Sequence, residues 1–286
     1  MSIVIPYNAY SADVTDETTT ASDEGTAINP PANDEGGNNN LSGNNENINN
    51  LLGFSISVGA TIWDTSLARK YSLGPDGAKM RDTCDKTFLY GPAMSVKFNN
   101  DFNLTFVFLY GTFDNSGEPA IEFNRKDSDL ALNYRLNDYF KVFGGIKYIG
   151  ISKSAEPPFY DYTYESENNG FGPGLGLSAS LPFTENIYLL TTLSVFYLWG
   201  KESVTVYDTG STTSNYNFNA YGINATISLA YYIANASTTI SLGKRFQSFK
   251  TKYKDDVYID TTPSYYNSMK YKFYGTTLTA TYSFDM

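Results

Sequence analysis

The chain has no histidine and a single cysteine, Cys84, in 286 residues. Without histidine there is no Ser-His-Asp triad, no imidazole general base and no imidazole-ligated zinc or haem. One cysteine leaves no disulfide within the chain, no iron–sulfur cluster and no thiolate zinc site. Cys84 itself, in a long link between strands, reads as an unpaired thiol and not a catalytic one, because no imidazole is present to serve as its base. Long apolar runs are also missing: nothing approaches the ~18 residues of a membrane helix. Charge is sparse at 17%, and 30 acids outnumber 20 bases with no basic stripe, so nucleic acid is not an expected partner. Aromatics, by contrast, are abundant at 16%, with Tyr 25, Phe 19 and Trp 2. A chain so aromatic and charge-poor, with a mean hydropathy of -0.33, is unusual for a soluble globule. Its length suits one large domain or two small ones.

The acids are unevenly placed. Residues 1–50 hold eight (Asp13, Asp16, Glu17, Asp23, Glu24, Asp34, Glu35, Glu46) and no Lys or Arg, which leaves 22 acids against 20 bases in 51–286. The stretch NDEGGNNNLSGNNENINN is low-complexity and nearly free of large apolar side chains, so it cannot offset its own chain entropy by burial. Residues 13–50 are therefore expected to be a disordered acidic leader. Residues 1–12, a short apolar run ending in Ala9-Tyr10-Ser11-Ala12, read as the remnant of a secretory signal peptide.

From Leu52 onward the hydropathy repeats every two residues. Leu52, Phe54, Ile56, Val58, Ala60 and Ile62 alternate with Gly, Ser and Thr, and Tyr221 to Tyr231 does the same. The same test predicts ten strands, at 52–63, 88–98, 102–112, 125–136, 140–151, 172–183, 187–199, 218–231, 237–248 and 271–284. Links between them alternate strictly between long and short. Three short ones, Asn99-Asn100-Asp101, Asn137-Asp138-Tyr139 and Thr184-Glu185-Asn186, carry turn chemistry.

Three features point the apolar face at lipid. The polar face is mostly Gly, Ser, Thr and Asn, which suits a lumen and not a soluble exterior. The strand lengths match a tilted crossing, about 9–11 residues with overhang. Aromatics gather at both ends of the apolar face: Phe98, Phe102, Phe140, Phe183, Tyr231 and Phe284 beside the short turns, and Trp63, Tyr90, Tyr110, Tyr148, Tyr197, Trp199, Tyr221 and Tyr274 toward the long links. The expectation is an all-β fold, a closed antiparallel up-and-down transmembrane β-barrel over residues 51–286. Closure also removes the edges that an open sheet would expose.

The hairpin DSDLALNYRLNDYFKVFGGIKYIG and the last strand, YGTTLTATYSF, resemble the small single-chain, porin-like outer-membrane β-barrel proteins of diderm (Gram-negative) bacteria. That resemblance implies a bacterial outer-membrane location, with termini periplasmic and long loops extracellular. It implies lipid as a partner, and a closing strand read by the barrel assembly machinery through Phe284, preceded by Tyr282, Ala280 and Leu278; Asp285-Met286 after the aromatic departs from the usual ending. The outer-membrane proteases and acyl hydrolases of this architecture rely on histidine, so neither enzyme activity nor a cofactor or metal is expected. The resemblance is one of architecture and names no single function. It leaves a narrow pore for ions or small solutes, or structural support of the membrane. The alternative is an adhesin or receptor using the Tyr-rich loops 64–87, 152–171, 200–217 and 249–270.

Strand parity puts Lys97, Arg125, Asp127, Asp129, Arg135, Lys141, Lys147 and Arg245 inside the barrel. Pairing about the 137–139 turn sets Asp129 opposite Lys147, which predicts a cross-strand ion pair with Asp127 left to reach Arg125 or another lumen base. Ion pairing that fills the lumen is the expected role of these charges. Gly172, Gly174 and Gly176 share one lumen face and leave room for bulky inward groups such as Phe143 or Phe196. The acidic leader is complementary to Lys97, Arg135 and Lys141 near the short turns, where it could dock.

Overall fold

The computed structural model describes residues 54–73, 78–115, 121–155, 163–207, 210–258 and 265–285. The readings of 1–12 as a signal remnant and 13–50 as a leader lie outside these residues. Alternation resolves into ten strands: β1 (Ser55–Leu73), β2 (Ala78–Lys97), β3 (Phe102–Asn115), β4 (Ile121–Arg135), β5 (Phe140–Ala155), β6 (Thr163–Pro182), β7 (Ile187–Tyr207), β8 (Ser211–Ile233), β9 (Thr238–Tyr258) and β10 (Tyr265–Asp285). Each pairs antiparallel with its neighbours in sequence. β1 also pairs with β10, from Ser55↔Asp285 to Tyr71↔Met269, and so closes the barrel.

The short turns, and with them the ends Ser55 and Asp285, sit at one end. Three of the turns use the same device, a side-chain oxygen that caps two backbone N–H groups. Asn99 Oδ1 accepts from the N–H of Asp101 and Phe102, both at 2.8 Å. Asn137 Oδ1 accepts from Tyr139 and Phe140, both at 2.9 Å. Thr184 Oγ1 accepts from Asn186 at 3.3 Å and Ile187 at 3.1 Å. Such local bonds are why Asn and Thr open these turns. The fourth turn is a 3-10 helical turn, Ala234–Ala236, ending at Ser237 with φ 44°.

At the opposite end the strands run far beyond their expected limits. Segments 64–87, 113–124, 152–171, 200–217 and 249–270, read from sequence as long loops, are mostly strand. The physical reason is an inversion of hydropathy along each strand. Between the turns and Trp199 on β7, the outward residues include Leu189, Leu193, Val195, Tyr197 and Trp199, and the inward ones include Thr192 and Ser194. Beyond it, the outward positions are Lys201, Ser203 and Thr205, while Val204 turns inward and is buried. Apart from register shifts between β1 and β2 and between β9 and β10, the period of two persists while the apolar face changes sides. A boundary drawn where outward apolar residues stop therefore cuts each strand short.

The inward apolar groups of the far half form one contiguous core that includes Trp63, Leu67, Leu89, Phe113, Phe123, Phe249, Tyr271 and Phe273. Trp63 is thus not a membrane-interface aromatic. It follows outward Ile62 by one position, so the pleat turns it inward, where it is 0% exposed. The other ring positions remain on the outside. Phe98, Phe102, Phe140, Phe183, Tyr231 and Phe284 are exposed near the turns, and Tyr90, Tyr197, Trp199, Tyr221 and Tyr274 are exposed at the upper edge of the apolar girdle. Phe88 and Phe171, which the sequence reading passed over, join the upper ring. Tyr110 and Tyr148 are half-buried, with hydroxyls donating to Asn124 Oδ1 at 3.2 Å and Asn169 Oδ1 at 2.7 Å.

Candidate functional site

The site lies in the middle of the bore. Arg125, Asp127 and Asp129 occupy successive inward positions of β4, and Lys147 on β5 faces Asp129 across the ladder. Lys147 Nζ donates to Asp129 Oδ1 and Oδ2 at 3.1 Å and to Asp127 Oδ1 at 2.9 Å, so one ammonium bridges both carboxylates. Arg125 donates through Nη2 to Asp127 Oδ2.

The remaining partners come from the far wall. In ring order, four strands separate β4 from β9 by either route (β5 to β8, or β3, β2, β1 and β10), so the two stand across the barrel from one another. From β9, Arg245 Nη2 lies 3.6 Å from Asp127 Oδ1 and 3.9 Å from Asp129 Oδ2. Gln247, also on β9, accepts a hydrogen bond from Arg125 Nη2. Arg245 Nε donates to Asn224 Oδ1 on β8 at 3.3 Å. The groups form a polar bar that spans the bore from wall to wall.

Aromatic rings close the space around that bar. The Arg125 guanidinium carbon lies 3.6 Å from the centre of the Phe273 ring, and that of Arg245 lies 4.3 Å from the Trp63 ring. Nε and Nη1 of Arg125 make no hydrogen bond. With the cation set over a ring face, attraction to the π-electrons offsets part of its lost hydration. Arg125 and Asp127 are each 1% exposed, and Arg245 and Gln247 are 0% exposed. Above the bar, Phe249 stacks on Tyr271 at 4.8 Å and Phe113 meets Phe273 at 5.9 Å. Below it, a cavity of about 20 Å³ bordered by Asp129, Lys147, Phe143 and Phe196 has room for about one water molecule.

A second polar cluster sits higher in the far half. Glu202 on β7 accepts hydrogen bonds from Ser166 Oγ and Tyr253 OH. Its Oε1 lies 3.7 Å from Lys153 Nζ, and Asn168 Nδ2 donates to Tyr253 OH at 3.1 Å. Nearby, Arg69 Nε donates to Asp82 Oδ2 at 3.1 Å. The sequence reading missed this cluster because it lies in stretches taken as loops. The parity signal was present: Lys153 continues the inward series of Lys147, Ile149 and Ile151. Cys84 belongs to the same region, buried on β2 opposite Leu67 and not on a loop; burial pushes its thiol up to about 11.

The turn-side half of the bore is built from small polar groups, such as Ser57 with Ser283 and Thr61 with Thr279, both pairs at 2.9 Å. Arg135 and Lys141 face each other across the ladder near the mouth, where Arg135 also pairs with Asp138. Lys97 lies opposite Ser55, where β1 begins. These three bases therefore stand apart from the central bar. Gly176 does make room for Phe143: a Cβ built there would meet the Phe143 ring at 2.2 Å. Among the described residues, no group of three carboxylate or thiolate side chains could hold a metal ion.

A closed ten-strand barrel with an apolar girdle has counterparts among solved structures. The outer-membrane protease OmpT from Escherichia coli superposes with a TM-score of 0.58 at 12% identity, over 81% of this chain and 97% of that one. The chain has the fold of a bacterial outer-membrane β-barrel. At this identity the likeness concerns the fold alone. The translocator domain of the autotransporter NalP from Neisseria meningitidis is a more distant match, with a TM-score of 0.41 at 10% identity over 80% of this chain and 88% of that one. The toluene transporter TodX from P. putida matches at 0.32 and 9%, over 82% and 90%. No protein-family model matches the sequence. Neither does any curated protein.

Proposed function

We propose that the protein is an integral barrel of the bacterial outer membrane with a closed bore, and that it serves as a rigid structural element of that membrane. The observation that carries this reading is the wall-to-wall bar of Asp127, Asp129, Lys147, Arg125 and Arg245, sealed by Trp63 and Phe273. A conducting path needs a continuous column of water, and these side chains occupy its middle. In this reading the turns and termini face the periplasm and the extended strand ends face outward.

The same reading makes the protein a non-enzyme. Each clustered lumen carboxylate faces cations, Asp127 contacting Arg125, Lys147 and Arg245 at once, which is the chemistry of a brace. A second reading, surface contact with a partner outside the cell, draws on the exposed polar wall above the girdle, where Tyr207 OH donates to Glu165 at 3.1 Å.

The test is single-channel conductance of the full refolded chain in a planar bilayer. The native protein is expected to be silent, and the Asp127→Ala/Arg245→Ala double variant is expected to show discrete openings. Steady openings from the native protein would restore the narrow-pore reading.

A further inference from the structure

The outer wall just above the upper aromatic ring is electrostatically lopsided. On the sector built by β2, β1, β10 and β9, the ladder places Arg81 opposite Lys70, Lys70 opposite Lys270, and Lys270 opposite Lys250. These four bases form one uninterrupted cross-strand row. Lys272 and Lys252 flank it on the same outward face and are exposed. The row adjoins the apolar girdle: Lys250 is the ladder partner of Tyr221, and Lys272 is the next outward residue after Tyr274.

Like charges on directly opposed positions, with Cβ atoms about 4.5–5.5 Å apart, repel and destabilise a sheet. Nothing in the strand pairing requires them there. Among the described residues, none of the four forms an ion pair or hydrogen bond with a carboxylate. The outward acids of this sector lie off the row: Asp64 is opposite Phe88 and Thr276, Asp85 sits in the β2 bulge, and Asp255 and Asp256 come after Lys250 and Lys252 toward the far end of β9. The other wall differs. There β4 and β6 present Glu122, Glu165 and Glu167 outward at comparable height. An even scatter of surface charge for solubility would not confine a pure basic row to one sector at the rim of the girdle.

We propose that this row is a binding site for the phosphate groups of lipid headgroups in the outer leaflet. The proposal rests on the outer-membrane reading above. Adjacent strands lie about 4.8 Å apart, so four bases span about 14 Å, enough for two phosphates of one glycolipid or of neighbouring lipids. Lysine stems lie along the apolar wall while their ammonium groups reach the headgroup layer. A phosphate laid across Lys70 and Lys270 turns their mutual repulsion into shared attraction.

The full chain is inserted into phosphatidylcholine vesicles with and without lipid A, extracted in mild detergent, and examined by native mass spectrometry and thermal unfolding. The variant is Lys70→Gln/Lys250→Gln/Lys270→Gln, and the control on the other wall is Lys126→Gln/Lys201→Gln. The native chain and the control are expected to retain about tenfold more lipid A than the triple variant, in line with the loss of about one or two charge-assisted contacts. In phosphatidylcholine alone the triple variant should melt no lower than the native chain, because it has lost only repulsion. With lipid A present it should melt lower. Equal retention by all three proteins overturns the site. So does an equal rise in melting temperature with inorganic phosphate, which would assign the row to a soluble anion. Failure of the native chain to insert into either vesicle overturns the membrane reading and this proposal together.

Discussion

Asp127 accepts from Lys147 and Arg125 and lies within 3.6 Å of Arg245, so its removal takes the one carboxylate from Arg125 and leaves Lys147 and Arg245 to share Asp129. Breaking a buried pair from one side costs about 3–5 kcal/mol. Asp127→Ala is therefore expected to lose about that much stability in equilibrium unfolding from detergent micelles by urea. Pairing it with Arg245→Met should cost less than the sum of the single losses, since the second change removes a charge that the first left with only a shared partner. A loss well below about 1 kcal/mol for Asp127→Ala would mean that the bar contributes little. At this scale the sequence was partly legible. Parity alone put Asp127, Asp129 and Lys147 on one face, and the turn at 137–139 set the register that opposes Asp129 to Lys147. Trp63 was misread because its aromatic character outweighed its parity. The reach of Arg245 to Asp127 was not legible, because which residues meet across a barrel depends on stagger accumulated over many strands.

Strand number and order followed from alternation and from turn residues, because both are local. The Asn and Thr caps make that concrete at three of the four turns. Asn99→Ala and Asn137→Ala should each cost about 1 kcal/mol, as each leaves two backbone donors without their side-chain acceptor. Urea midpoints unchanged in both variants would show that solvent serves the turn equally well. Strand ends were less legible. The criterion was an apolar outward face, and the strands continue beyond the point where that face turns polar. The Glu202, Lys153 and Tyr253 cluster lies beyond that point and was illegible for the same reason.

Taken whole, the molecule joins two kinds of barrel end to end. The turn-side half has its apolar face outward and small polar groups inside. The far half has charge and amide outside and an apolar core within. Girdle and core meet near the level of Trp63, where guanidinium groups from opposite walls converge on one indole.

That convergence gives the protein its own clock for assembly. β4 and β9 face each other only after β1 has found β10, because an open sheet holds them well apart on one curved ribbon. Arg245 therefore reaches Asp127, and encloses Trp63, only in the last event of folding. Trp199 is the one other tryptophan and faces outward, so Trp199→Phe leaves a single fluorophore at the seam of closure. Its emission should stay water-like while hairpins form and girdle aromatics enter the bilayer, then shift to the blue in step with the appearance of the protease-resistant form. A blue shift complete before that resistance appears would show that the bar forms on a partly open sheet.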